Sequence, residues 1–466
     1  MKGFMKSLLA IILVLSMVLV GCGTKEEAVD EETTTTDEET TTTTDEETTT
    51  DEETEATDEE AVMEPVDISF QIAWDVESGR GKNIEIAVDA FMAANPNITV
   101  TMITGGDEQQ IITSLLNDAA PEVIQLGVKS VKTVAAEGLL KDLSSMEAEY
   151  KEIFYPTLVD FFKTEGKLYG APWIGHTIEL VYNKDLFAAA GLDPEKAPDT
   201  WDELMAFSAQ IEEKTDAVGL GMAGLQHNDA IWMSTPIILS YGGQWVKDEG
   251  GKEVVAINTP EGIKGLQIYQ DFAQKYEGAA EKNGGNVMED FRNSKIAMEF
   301  QGPWGVTDIW KNGNLFAVGT GIMPAGPNGR FADGGPYGLS VPVAVDGMRL
   351  DAAMKLIGYL QTADAQEIIM QGEFDEATDA FYPYRVPMRT DMATSSFFTD
   401  NPEFLVFIEG LEFIIDSFPT PGFNQLATEV ITVELNKLAS GATTPEEAAQ
   451  TIEEEGNSLL RNFYGD

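Results

Sequence analysis

The sequence predicts an α/β protein built as two lobes, and three observations carry that expectation. The chain has 466 residues, more than one hydrophobic core ordinarily holds, so two domains are the default. Residues 66–138 alternate strand and helix patterns, β-α-β-α-β-α, as a largely parallel sheet requires. Residues 166–187, GKLYGAPWIGHTIELVYNKDLF, set two apolar strands close together with no Asn-Gly hairpin signal between them. Pro172 favours extended chain before it. Such a stretch reads as a crossing between domains, and junctions of this kind are preferred ligand sites.

The first 64 residues belong to neither lobe. Lys2 and Lys6 precede an apolar run over residues 8–20, a signal-peptide core too short for a membrane span. The run ends Leu19-Val20-Gly21-Cys22, similar to the bacterial lipobox, so Cys22 is expected to be acylated after cleavage at 21 and to anchor the protein to the membrane. Two or more acyl chains give stable anchoring where one does not. Residues 26–64 then repeat DEETTTT-like units. A segment this polar and charged is expected to remain an extended disordered tether, the 22–64 linker.

The strands and helices follow in order. Residues 66–74 alternate as a strand, 83–95 carry helical spacing closed by Pro96, and 98–103 are again a strand. A helix over 109–117, a strand over 122–126 and a helix over 131–137 complete the first alternation. After the crossing, a helix over 201–214 starts at Thr200 with Glu203 three residues on, a capping-box pattern. Residues 219–222 suggest a strand, and 227–241 a helix interrupted near Pro236. A long amphipathic helix follows over 260–276, then a strand over 296–300 running into Gln301-Gly302-Pro303-Trp304 and a helix from Gly305. Strands over 316–323 and 338–343, a helix over 350–362 and a helical region from about 402 close the chain.

Composition narrows the function. The formal charge is −51, with 80 acidic residues against 29 basic. A surface this negative argues against nucleic acid, which needs clustered Lys and Arg. One cysteine excludes an internal disulfide, and two histidines, His176 and His227, stand in no metal-ligand spacing such as HExxH, so neither metal nor cofactor is expected.

Several motifs converge on a family. KLYGAPWIGHTIELVYNKDLF is followed by Pro198-Asp199-Thr200-Trp201-Asp202-Glu203-Leu204, by AAPEVIQLG over 119–127, SKIAMEFQGPWG over 294–305 and MPAGPNG over 323–329. In this order they resemble the extracellular solute-binding proteins of family 1, the carbohydrate receptors of bacterial ABC importers that include the maltose-binding proteins. The likeness covers nearly everything from residue 66 onward. It implies the type II periplasmic-binding-protein fold, two α/β lobes on a hinge closing over an interlobe cleft. The lobes would be 66–175 with 317–375, and 176–316 with 376–466. It further implies a monomeric, lipid-anchored receptor outside the cytoplasm that delivers its solute to membrane permease subunits and catalyses nothing.

A sugar presents apolar C–H faces and a rim of hydroxyls, so its site needs aromatic platforms beside carboxylates, amides or arginine. Trp304, directly after Gly302-Pro303, resembles the family's stacking tryptophan. Trp232 falls where the family also places a sugar-stacking ring. Trp74, Asp75 and Glu77 follow the first strand, where polar ligand contacts are common in the family, and Gln125 ends another strand. Trp173, His176 and Glu179 lie in the crossing, Tyr337 follows a Gly-Gly loop, and Arg385 resembles a position of a ligand-binding arginine. Val128-Lys129 stands where maltose binders carry an acidic pair, and Phe423 is the nearest ring to a C-terminal stacking tryptophan that this chain lacks. Both departures disfavour a long maltodextrin. The competing readings are the same fold holding a peptide, polyol or polyamine, a two-carboxylate glycosidase, and a purely structural surface protein.

Overall fold

The computed structural model describes residues 64–465 except 78, 106, 107, 118, 251 and 417–419. The leader, the Cys22 acylation site and the acidic tether lie outside the described residues.

Twelve strands set the frame. They are β1 (Val66–Gln71), β2 (Ile98–Ile103), β3 (Val123–Gly127), β4 (Ala171–Gly175), β5 (Glu179–Asn183) and β6 (Val218–Leu220), then β7 (Ile296–Gln301), β8 (Val318–Gly321), β9 (Ala332–Asp333), β10 (Tyr337–Ser340), β11 (Val386–Pro387) and β12 (Ile414–Ile415). The first lobe is built on a six-stranded sheet in the order β11-β4-β10-β3-β1-β2, and the second on a four-stranded sheet, β8-β5-β7-β6. Every residue of β4, β5 and β7 is buried, as befits strands covered on both faces.

The first sheet is mixed where the sequence suggested mostly parallel pairing. β1 runs parallel to β2 and β3, joined by helical crossovers, but β10 and β11 pair antiparallel to their neighbours. β10 returns from the other lobe through the hinge, and β11 follows it after further first-lobe helices, so no right-handed crossover dictates either direction. The same return shifts the expected lobe limits: β8 lies in the second sheet although 317 onward was expected in the first lobe, and β11 lies in the first sheet although 376 onward was expected in the second.

Local chemistry explains the helix ends. Asn183 accepts hydrogen bonds from the Asp185 and Leu186 amides to start the helix Lys184–Ala190, which Gly191 ends at φ 77°. At the helix Trp201–Lys214 the Thr200 hydroxyl accepts from the Glu203 amide, but the Glu203 carboxylate reaches one residue further than a capping box, accepting from Asp199 N at 2.9 Å. The helix Asn228–Ser240 runs unbroken through Pro236. Ser234 and Thr235 donate back to the Ala230 and Ile231 carbonyls at 2.6 and 2.7 Å, and the proline is buried against neighbouring structure that holds the helix together.

Three connections cross between the sheets side by side. Thr177 bridges to Gly334, Ile178 N donates to Asp333 O at 2.8 Å, and β9 pairs parallel with β12. The Thr177 hydroxyl donates to Phe407 O at 3.0 Å. A Cβ at Gly410 would lie 1.7 Å from Glu179 Oε1, so the third connection passes directly against the buried carboxyl at the start of β5. This triple crossing is the hinge.

Candidate ligand-binding cleft

A cavity of about 330 Å³ opens where the strand ends of the two sheets face each other at the hinge. His176, Ile178 and Asp333 form its floor, Arg80 and Tyr384 its first-lobe side, and Asp229, Trp232, Gly284, Gly285, Met288, Gln301 and Trp304 its second-lobe side.

The second-lobe wall is organised around the backbone of Gly284, at the start of the helix Gly284–Arg292. Asp229 Oδ2 accepts from Gly284 N at 2.6 Å while its Oδ1 accepts from the Trp232 indole N–H at 2.8 Å. Gln301 mirrors this, donating through Nε2 to Gly284 O at 3.1 Å and accepting through Oε1 from the Trp304 indole N–H at 2.7 Å. Both indoles therefore line the cavity with their only donors already satisfied. A Cβ at Gly284 would stand 3.0 Å from Asp229 Oδ2 and 3.1 Å from Trp232 Cζ2, so any larger residue would make both side chains give way by a few tenths of an ångström.

The first-lobe wall inverts that arrangement. The Arg385 guanidinium lies over four rings, 4.1 Å from Tyr384, 4.9 Å from Trp304, 5.4 Å from Trp74 and 5.9 Å from Tyr337. Its Nη1 donates to Tyr384 O at 3.0 Å. Its Nε is buried and has no hydrogen-bond partner among the described residues. Trp74 and Tyr337 meet edge to face at 5.2 Å. Between the walls, His176 stands edge-on to Trp304 at 4.8 Å, and a Cβ at Gly335 would meet its ring at 2.2 Å. Desolvation, with the Arg385 charge nearby, holds the His176 pKa well below its ordinary value, so the ring is neutral near pH 7. Its Nδ1 is buried and has no partner among the described residues.

Of the residues singled out from the sequence, His176, Trp232 and Trp304 line the cavity, while Trp74 and Tyr337 pack around the Arg385 guanidinium, which also lies over Trp304 and Tyr384. The others lie elsewhere. Trp173 is fully buried in the first-lobe core against Phe70 and Trp74. Gln125 is fully buried and accepts from Ala73 N at 3.3 Å, tying the strand-end loop to β3. Asp75 and Glu77 are exposed, and Asp75 Oδ1 accepts from Glu77 N at 2.9 Å in a local turn. Glu179 is buried in the hinge, where Oε2 accepts from Met323 N at 2.5 Å, and burial pushes its carboxyl up to about 8. Sequence reasoning missed Arg80, Asp229, Gly284, Gln301 and Tyr384. Gln301 stands inside the quoted 294–305 motif and Tyr384 precedes Arg385; Asp229 and Gly284 carry no local signal.

The sequence profile of the bacterial extracellular solute-binding proteins matches residues 76–367, more than half of the chain. The chain belongs to this family. It is 25% identical over 417 residues to the sn-glycerol-3-phosphate-binding periplasmic protein UgpB of Shigella flexneri serotype 5b, covering 83% of this chain and 91% of the relative. In three dimensions it is similar to the GacH receptor of Streptomyces glaucescens, solved unliganded and with acarbose, with a TM-score of 0.69, 23% identity and coverage of 85% and 99% of the two chains. The sugar-binding protein MalE of Xanthomonas citri superposes with a TM-score of 0.72 at 21% identity, covering 86% of this chain and 98% of its own. The solute-binding protein is thus a two-lobed α/β receptor of the fold the motifs implied. Among the described residues no helix is long and apolar enough to cross a membrane, and no three His, Cys, Asp or Glu side chains are grouped to hold a metal ion.

Proposed function

We propose that this solute-binding protein captures a short carbohydrate between its lobes and delivers it to an ABC permease, held at the outer face of the membrane by acylated Cys22. The observation that carries this reading is the pair of indoles, Trp232 and Trp304, whose N–H groups are bonded to Asp229 and Gln301. Rings fixed in this way offer carbon faces for stacking on sugar C–H surfaces, while Arg80 and His176, which line the cavity, supply polar groups for hydroxyls. The cavity of about 330 Å³ lies at the low end of small-molecule sites, roughly 300–1,000 Å³, which favours one or two rings over a long maltodextrin. Binding proceeds without turnover. The solute biases a pre-existing open–closed equilibrium toward the closed form that the permease engages. Thermal-shift screening over neutral mono- and oligosaccharides tests the reading, because a bound ligand raises apparent stability with its occupancy. Sugar release from an oligosaccharide panel would overturn it.

A second reading, a phosphorylated polyol, is favoured by the unpartnered buried Nε of Arg385 and by relatives that bind sn-glycerol 3-phosphate. A guanidinium with donors to spare pairs well with phosphate oxygens, and two arginines at the cleft oppose a polyamine. Calorimetry with maltose and with sn-glycerol 3-phosphate separates the readings. Arg385→Gln should cost a neutral sugar a few-fold and a phosphate ester roughly 30-fold or more, from the loss of one charge-assisted pair.

A further inference from the structure

The helix Pro303–Lys311 carries Trp304, Thr307 and Lys311 at i, i+3 and i+7, one stripe of its surface. All three meet the same stretch of the first lobe. Trp304 lies 6.0 Å from the Tyr384 ring, the Thr307 hydroxyl donates to Pro383 O, and Lys311 Nζ sits 2.9 Å from Glu373 Oε1 and 3.6 Å from Asp375 Oδ2. The hairpin Glu373–Asp375 with Ala380–Tyr382 is itself fastened to the first lobe. Phe374 N donates to Gly79 O at 3.1 Å, and Asn83 Nδ2 donates to Gly372 O at 3.0 Å. The second oxygen of Glu373 takes Arg80 Nε at 3.2 Å. Arg80 also lines the cavity, and its guanidinium lies 4.6 Å from the Tyr384 ring.

Glu373 therefore touches a ligand-side arginine of one lobe and a lysine of the other. Its side chain is 14% exposed and that of Lys311 24%, so the pair is shielded enough to count for more than a surface ion pair. Lys311 sits on a second-lobe helix and Glu373 on a hairpin fastened to the first lobe, so opening the hinge separates them. We infer that Glu373 is a positioning residue that couples solute capture to lobe closure, one oxygen aiming Arg80 at the solute and the other drawing in the helix that bears Trp304. This inference rests on the reading that the cavity holds the solute.

The test uses the full chain and two readouts. Amide hydrogen exchange over residues 303–311 and 373–382 reports closure without ligand, and tryptophan fluorescence titrations with maltose and with sn-glycerol 3-phosphate report affinity. Lys311→Met and Glu373→Gln should both speed exchange in the two segments by similar factors. Glu373→Gln should also weaken binding about tenfold, the equivalent of about 1.4 kcal/mol, against a few-fold for Lys311→Met. The double swap Lys311→Glu with Glu373→Lys should restore slow exchange but not affinity, because Arg80 then faces a like charge. Unchanged exchange in both single variants, or a swap that restores neither, would overturn the coupling. If neither probe binds the parent, the ligand reading fails, and the exchange comparison alone still decides whether the latch exists.

Discussion

On the second-lobe wall of the cleft, Asp229 and Gln301 use their polar atoms to hold the indoles of Trp232 and Trp304 around Gly284. On the first-lobe wall the rings of Trp74, Tyr337 and Tyr384 surround the Arg385 guanidinium instead. One wall holds apolar faces rigid with polar anchors, and the other holds a charge in place with apolar faces. Under the proposed function the labour divides accordingly, with stacking affinity from the second lobe and chemical selectivity from the first. Closure is what makes both walls act on one solute.

Trp304→Ala is the strongest way to break this comparison. It removes a platform and leaves Gln301 Oε1 without its donor, so a sugar should lose about 2–3 kcal/mol, roughly 30- to 150-fold in Kd by calorimetry. An unchanged Kd would move the platform elsewhere. Gly284→Ala sharpens the anchoring argument with a smaller effect. The added methyl crowds both Asp229 and Trp232, and displacing them should cost about 1 kcal/mol, or roughly fivefold in affinity, with little change in ligand-free melting. If melting falls and affinity stays, the glycine serves packing alone.

The smallest effect belongs to the hinge, which lies between the walls. Burial raises the Glu179 carboxyl to about 8 from an ordinary value of 4.5. The folded state thus keeps a proton that the unfolded chain releases, and the associated stability, full below about 4.5, is lost as pH rises through about 8. Glu179→Gln should leave affinity nearly unchanged, flatten that slope and raise the melting temperature at alkaline pH by a few degrees, of the order expected for a few kcal/mol in a folded part this size. A pH–melting curve parallel to that of the parent would show that the carboxyl does not titrate in this window.

Legibility followed sequence separation. The helices from Trp201 and Pro260 were readable because their caps, Thr200 and Thr259, bond amides three residues away, and Trp304 was readable because it stands in a contiguous QGPW motif. Trp173 looked like a cleft residue because it shares the crossing with His176, yet its indole is buried in the first-lobe core, where no local pattern shows what packs upon it. Asp229 reaches Gly284 across 55 residues, and Arg80 reaches Glu373 across 293.

By itself, then, the sequence determined the α/β alternation, the crossing near His176, the family likeness and the place of Trp304 in the cleft. The tertiary structure decided which strands return to the first sheet, how each indole N–H is anchored, and that Arg385 lies boxed among rings. The physical reason is range: periodicity, capping and turn chemistry act over a few residues, whereas ring stacking and ion pairing across a cleft join residues whose separation along the chain leaves no repeating signature.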